Sequence, residues 1–576
     1  MLAFSTYPWY NLNMEMLNRT SELEQKITSL EGIVASQSEQ IARMEALIKY
    51  YEEQFKLAQR QRFGPSSEQT PNQLRFECLF NEAEDQSDPA LPEPAIEEIT
   101  YTRKKRTGKR ADDLAGLPTE RIEYEIPEGE RTCPECGGEM HDIGVTVRDE
   151  LEIIPAKVIH KQHAVHAYGC GNCEKNGDHA TIIRADSPIP LISGSLASPS
   201  AVAHIATQKY VKGVPLYRSE KGLGYEGVIL SRQTMANWLI YCALHYLSGI
   251  YSLLISFLLK ESICHADETS VQVLHEPGRE AKSKSYEWLY RTGKYAEHTV
   301  VIYQYRETRR QEHPETFLQG YRGYLHTDGY QVYHALPPDI VVVGCWAHAR
   351  RYWEKLYDSI RDSSVRDGSN AERGLVYINL LFAYEHEFQD LSPEERLEKR
   401  LAYSRPVSDE FFDWVGTIHA LPKSLLGEAV HYALSQRKYL ENVYLDGRLE
   451  LSNNAAERAI KPFVQGRKQW LFANTPNGAE SSSIYYSIIE TAKENNLNPY
   501  QYLRYLLEKL PSAISSDLEA LLPWSESLPD ECRIPEKVLN AKPKKAERPM
   551  YSNKKGHPLH NALQKLRQRF RGEGSA

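Results

Sequence analysis

A chain of 576 residues, 41% hydrophobic and 26% charged, has enough apolar material for several buried cores, which excludes a disordered or fibrous polymer and suggests a large, soluble, multidomain protein. Its formal net charge of -9 excludes a surface that is basic throughout, although local basic patches remain open. Nine cysteines are too sparse for a disulfide scaffold, and four of them form two Cys-x-x-Cys pairs, a pattern that points to metal binding in a reducing compartment.

The opening stretch MLAFSTYPWYNLNMEML lacks the basic start, apolar run and small-residue cleavage site of a secretion signal, so a cytoplasmic protein is expected. Leu23, Ile27, Leu30, Val34, Gln37, Ile41, Met44, Ile48, Tyr51 and Phe55 then alternate steps of four and three residues. That heptad seam, with one polar interruption at Gln37, predicts a coiled coil over 12–60 and hence self-association as a dimer; a single amphipathic helix packed on its own chain is the alternative. Gly64-Pro65-Ser66-Ser67 breaks the pattern, and 61–115 reads as an acidic, proline-containing linker that ends in the basic run RKKRTGKR. Arg103, Lys104, Lys105 and Arg106 in that run are candidate DNA contacts.

Cys133-Pro-Glu-Cys136 and Cys170-Gly-Asn-Cys173 follow. Each pair can present two thiolates to one ion from a tight turn, and the alternating segment between them suggests a zinc ribbon over 116–188. With four protein ligands such a zinc is structural; reduced thiols without metal, or a redox pair, are the alternatives. Residues 189–260 read as helices, with Ser231 a plausible cap before LSRQTMANWLI, in a helix-turn-helix-like outline that would place Arg232 and Gln233 outward for DNA. Met235 to Leu259 carries no formal charge and is long enough to span a bilayer. However, Asn237, Tyr241, His245, Ser248, Ser252 and Ser256 fall in one helical stripe, which favours a packed helix in a soluble protein and no membrane span.

From 261 the texture turns to strands alternating with helices, interrupted by a helical insertion at about 365–440, which suggests a multidomain α/β protein. Within ESICHADETSVQVL, side-chain alternation puts His265, Asp267 and Thr269 on one face and Glu268 on the other, so only one of the two acids can enter a given site. Asp267, Asp328 in GYLHTDGY and Glu457 in NNAAERAIKP could converge to hold two divalent cations for in-line attack on a phosphodiester. Each also has a bland reading: a partnered strand acid, an Asp-Gly turn, and a capping box running from Asn454 to Glu457. Nearby His348, Arg350, Arg351, Lys461, Arg467 and Lys468 suit a phosphate-bearing substrate, or else form surface ion pairs. Residues 476–511 continue as a helical element, and 512–576 ends in a basic stretch, Lys542 to Arg571, expected to be a flexible tail.

HADETSVQV, HTDGYQVY, GCWAHARRYW and LSNNAAERAIKPFVQGRKQWLF resemble, in order, the motifs of the insertion sequence 66 family of bacterial DDE transposases. The Cys-x-x-Cys pairs, the heptads followed by RFGPSSE, and IYYSIIETAKENNLNPYQYLRYLLEKLP are similar to that family's zinc-binding, leucine-zipper-like and C-terminal elements. The resemblance implies a ribonuclease-H-like catalytic domain over 261–475. Asp267, Asp328 and Glu457 would be its acids, binding two catalytic Mg²⁺ ions beside one structural Zn²⁺. It further implies cleavage at the ends of a mobile element, joining of the 3′-hydroxyls to target DNA, accessory proteins encoded by the same element, and a bacterial cytoplasmic location with nucleoid association when DNA is bound. Ser270 stands where the family pattern has proline, and RRYW replaces a more basic continuation; neither departure touches an acid. A non-catalytic DNA-binding derivative, or a nuclease without strand transfer, are the competing readings.

Overall fold

The computed structural model describes residues 158–169, 182–184, 186, 188–541 and 559–571, together with positions 26, 37 and 44. The basic run 103–110 and the cysteines at 133, 136, 170 and 173 lie outside the described residues. So does the heptad segment, apart from Lys26, Gln37 and Met44, which are helical and exposed. Beside the second cysteine pair, β1 (Ala167–Gly169) and β2 (Ile182–Arg184) form a short antiparallel ladder.

Helix α1 (Pro199–Tyr210) is capped by the Ser198 hydroxyl and α2 (Leu216–Tyr225) follows. Ser231 accepts from the Thr234 N–H, as expected of an N-cap, and opens α3 (Arg232–Leu258), which carries a π-helical stretch at Ala243–Leu247. Helix α3 is long and apolar enough to cross a membrane, yet Met235, Leu239, Cys242, Leu247, Ile250, Leu254 and Leu258 are buried in the protein core. Asn237, His245 and Ser252 of the polar stripe face solvent. That is the two-sided pattern of a helix packed on a globular body.

The central sheet is mixed, in the order β5 (Val301–Arg306), β4 (Lys284–Thr292), β3 (Ile263–Gln272), β6 (Gly323–His326), β7 (Ile340–Val343). β3, β4 and β5 pair antiparallel, whereas β6 and β7 run parallel to β3. After β7 come α4 (Trp346–Ser359), α5 (Asn370–Glu387), α6 (Arg405–Gly416) and α7 (Leu425–Glu441), which build a second core around Trp346, Trp353, Phe411 and Trp414. Helices α5 to α7 occupy 370–441, between β7 and the return of the chain to the sheet.

Helix α8 (Asn454–Trp470) returns to the sheet and packs across β3 and β4, while α9 (Pro476–Glu494) lies along β5. β5 is an edge strand, and an edge presents unpaired N–H and C=O groups. Hydroxyls of α9 satisfy them: the Tyr303 N–H donates to Ser487 Oγ at 2.8 Å and the Val301 N–H to Thr491 Oγ1 at 3.0 Å. Thr491 Oγ1 and the Tyr251 hydroxyl of α3 donate in turn to the Val301 and Tyr303 carbonyls at 3.1 and 2.8 Å. Helix α10 (Pro499–Lys509) packs against α1.

Of the expected flexible tail over 512–576, the described residues 512–541 and 559–571 are instead built into the fold. The chain continues through ordered turns to Ala541, and α11 (His560–Arg571) docks on the insertion. Leu559 and Leu563 are buried there, with Ala562, Leu566 and Phe570 packed beside them. Arg567 and Arg571 pair with Glu387 of α5, and Arg569 pairs with Glu410 of α6. Arg567, Arg569 and Arg571 of α11 are thus paired with the protein's own acids, beside an apolar stripe on the same helix.

Candidate active site

His265-Ala-Asp267 on β3 and His326-Thr-Asp328 at the end of β6 are laid side by side by parallel pairing, with His265 and His326 direct partners in register. Neighbouring strands lie about 4.8 Å apart, so the same two-residue step brings each strand to its aspartate on the same side. Glu457 sits in the first turns of α8, the helix that crosses β3.

Strand alternation separates Asp267 from Glu268 as expected. Glu268 is paired with Arg309 and accepts from the Tyr333 hydroxyl at 2.6 Å. Burial, then the charge of Asp328, push the Glu268 carboxyl up, against the pull of Tyr333 and Arg309. Arg309 also stacks 3.6 Å over the Tyr330 ring, and the Tyr330 N–H donates to Asp328 Oδ1 at 2.9 Å. Glu268 thus buttresses, through Arg309 and Tyr330, the loop that carries Asp328. In the same loop Gly329 has φ +92°, a conformation suited to glycine, so Asp328-Gly329 is a tight turn as well as the site of an acid.

Asp267 has no cationic partner among the described residues' ion pairs; its Oδ1 accepts only from the Glu268 N–H at 2.9 Å. Its carboxyl is pushed well above the ordinary carboxylate range, first by burial, then by the negative charges of Glu268, Asp328 and, more weakly, Glu457. A divalent cation reverses that cost, because it supplies the missing positive charge to a set of hard oxygen donors. Asp267 and Asp328 therefore fit Mg²⁺ by donor type and by electrostatics; Glu457 offers a third carboxylate, but its oxygen lies with Cys345 and His348, on Arg351.

Arg351 of α4 is paired with Glu457, and the same guanidinium lies 3.0 Å from His348 Nε2. Burial works against the Arg351 charge, but Glu457 overrides it and raises the guanidinium further. His348, 3.8 Å from Glu457, is held low by burial and by Arg351. The Cys345 thiol, a His348 ring nitrogen and a Glu457 oxygen lie within 4.8 Å of one another. Burial pushes that thiol up to about 11.

The other sequence candidates divide. Arg467 bonds Thr269 Oγ1 and Ser270 Oγ at 3.2 and 3.4 Å beside the acid-bearing strand, the adjacent Lys468 is exposed, and Lys461 is half-buried one turn beyond Glu457. Arg232 and Gln233 are exposed at the start of α3. Arg350 is a correction: it is 7% exposed, donates to Asn379 Oδ1 at 2.8 Å and pairs with Glu354 at 3.0 Å. It belongs to the core-facing stripe of α4 and cannot reach DNA. The capping-box reading of Glu457 also fails, because α8 starts at Asn454, its N-cap Asn453 makes no side-chain cap, and the Glu457 carboxylate turns to Arg351.

Sequence reasoning passed over three residues around the acids. Asn453 is fully buried between β3 and α8, Glu450 lies 3.1 Å from His265 Nε2, and His326 stacks on His265 with ring centroids 4.4 Å apart. Burial, then His265, hold His326 well below the usual imidazole range. Burial raises the Glu450 carboxyl, but the hydrogen bond and charge of His265, with His326 and Arg458, outweigh it and leave it lowered to about 2. The repeated His-x-Asp of β3 and β6 was the available signal.

Comparison with known proteins matches residues 194–481 to the family described as Transposase IS66 family, and 487–524 to the IS66 C-terminal element. Residues 130–174 match the zinc-finger binding domain of transposase IS66, and 50–122 match Transposase C of IS166 homeodomain. Among curated proteins, the uncharacterized protein y4qI of Sinorhizobium fredii is 28% identical over 522 residues, 87% of this chain and 92% of its own. The uncharacterized protein y4jD of the same organism is 29% identical over 436 residues, 72% of this chain and 82% of its own.

Proposed function

Since the chain belongs to the IS66 family of transposases, we propose that it binds the ends of an insertion sequence and catalyses Mg²⁺-dependent strand cleavage and strand transfer at Asp267, Asp328 and Glu457. The observation that carries this reading is the Asp267 carboxyl, buried among negative neighbours and without a cationic partner among the described residues. The sheet order, with three antiparallel strands followed by two parallel to the first, supports a ribonuclease-H-like core.

In this reading Asp267, Asp328 and Glu457 hold two Mg²⁺ ions, which would lower the pKa of the attacking water or 3′-hydroxyl and stabilise the leaving oxygen. The chain's own groups do the rest. Glu268 and Arg309 fix the loop of Asp328, and Arg351 pairs with the Glu457 carboxylate, which a bound cation would share. Arg351, His348, Lys461, Arg467 and Lys468 border the site and offer donors to phosphate, while Arg232 and Gln233, with Arg103, Lys104, Lys105 and Arg106, extend the DNA track. Cys133, Cys136, Cys170 and Cys173, all within the matched zinc-finger region, hold one structural Zn²⁺. The heptad segment pairs two copies, accessory proteins of the same element assist, and the protein works in the bacterial cytoplasm.

The test is a Mg²⁺-dependent assay on duplex DNA carrying the element's terminal repeats. Asp267→Asn should reduce strand cleavage by at least about a thousandfold while end binding is kept. Unchanged cleavage in that variant sinks the assignment. Binding without cleavage by the unaltered protein marks a non-catalytic derivative, and cleavage without joining to a second duplex marks a nuclease.

A further inference from the structure

We propose that Asn453 is a positioning residue that clamps the helix of the third acid to the strands of the other two; this rests on reading Asp267, Asp328 and Glu457 as the metal-binding set. Asn453 stands where a helix N-cap asparagine would normally turn its side-chain oxygen to the N–H groups of its own first turn. It does not do so. Its Nδ2 donates to the Ala266 carbonyl at 2.8 Å, and because a backbone carbonyl only accepts, the orientation of the amide is fixed. Asn453 Oδ1 is then the acceptor facing His265 Nδ1 at 3.0 Å. The Asn453 N–H meets Cys345 Sγ at 3.2 Å, which ties the same residue to the start of α4.

Each of these contacts ends close to an acid. Ala266 and His265 are one and two residues from Asp267, and Asn453 is four residues from Glu457. His265 stacks on His326, two residues before Asp328, and the Glu450 N–H points to His326 Nε2 at 3.4 Å. One fully buried amide therefore joins β3 to α8 directly and reaches β6 through the stacked rings. Groups that hold metal ligands in register commonly change metal affinity when removed, without touching the ion themselves.

The experiment is Mn²⁺ binding to the full chain, followed by electron paramagnetic resonance, with thermal melting of each variant alongside. The component lost in Asp267→Asn defines the acid cluster. Asn453→Ala should weaken that component by about tenfold or more. Asn453→Asp, which keeps the acceptor for His265 and loses the donor to Ala266, should fall between. As a control, Asn498→Ala removes an ordinary cap from α10, where Asn498 Oδ1 accepts from the Tyr500 and Gln501 N–H groups at 3.1 and 3.3 Å. It should leave Mn²⁺ binding as it was.

If both Asn453 variants bind Mn²⁺ within about twofold of the unaltered chain while Asp267→Asn abolishes the component, the clamp is wrong and the acid cluster stands. Asp267→Asn with unchanged binding removes the acid cluster itself. Equal weakening by Asn498→Ala overturns the proposal in favour of general destabilisation. Should Asn453→Ala fail to fold, Asn453→Asp decides by the same criterion.

Discussion

In water an aspartate ionises near pH 4, and the folded protein moves Asp267 well above that value through burial and the charges of Glu268, Asp328 and Glu457. A raised folded-state pKa means that the native state binds a proton the unfolded chain has already released. Stability of the metal-free protein therefore falls as pH rises from about 4 through the folded-state value, and the penalty is fully present above it. Asp267→Asn should accordingly melt at a higher temperature than the unaltered chain at neutral pH in the presence of a chelator, with the gain vanishing near pH 4 and below. A lower melting temperature at neutral pH would show that the carboxylate is not strained. The same scale shows where sequence reading stops. Arg350 and Arg351 are adjacent in the chain, yet the first lies in the stripe Trp346, Arg350, Trp353, Tyr357, whose spacing of four, three and four marks the core face of α4. That spacing was legible. The partnership of Asn453 with Ala266 was not, because it depends on how α8 crosses β3.

Helix α11 shows charge and apolar contact side by side on one element. Its ion pairs to Glu387 and Glu410 are partly exposed, and pairs of that kind contribute only about 0–1 kcal/mol. Leu563 is 3% exposed, and truncating a buried leucine costs roughly 2–5 kcal/mol. Leu563→Ala should therefore release the helix, seen as loss of hydrogen-exchange protection over 560–571, whereas Arg567→Ala should change that protection little. The opposite ranking would mean that the ion pairs hold the helix. Leu559, Leu563, Leu566 and Phe570 are spaced by four, three and four residues, so the helix was readable from pattern. The expectation of a tail came from weighing Lys and Arg content above periodicity. For the strands, the alternation of β3 told correctly that Asp267 and Glu268 face opposite ways, whereas the buttress from Glu268 to Asp328 through Arg309 and Tyr330 needed tertiary contacts.

At the scale of the molecule, the family matches follow one another along the chain: the zinc-finger region at 130–174, the transposase region at 194–481 and the C-terminal element at 487–524. The zinc-finger match at 130–174 ends before the core residues of α1 begin. Chelation of zinc should thus abolish hydrogen-exchange protection within 130–174 and leave the melting of the 191–541 body in place. Loss of the body's transition together with the metal would show that the two are one cooperative unit.

The hydroxyls of Ser487 and Thr491 that seal β5 belong to a segment made late in synthesis. The five strands of the central sheet have all been synthesised once Val343 has been added, while the sealing helix lies about 150 residues further on. At roughly 5–20 residues per second, a nascent chain carries that open edge for on the order of 10–30 seconds. An open edge is a template for pairing with another chain. Ribosomes crowded on one message would bring such edges together, so slowing translation between 344 and 494 is expected to lower the soluble yield.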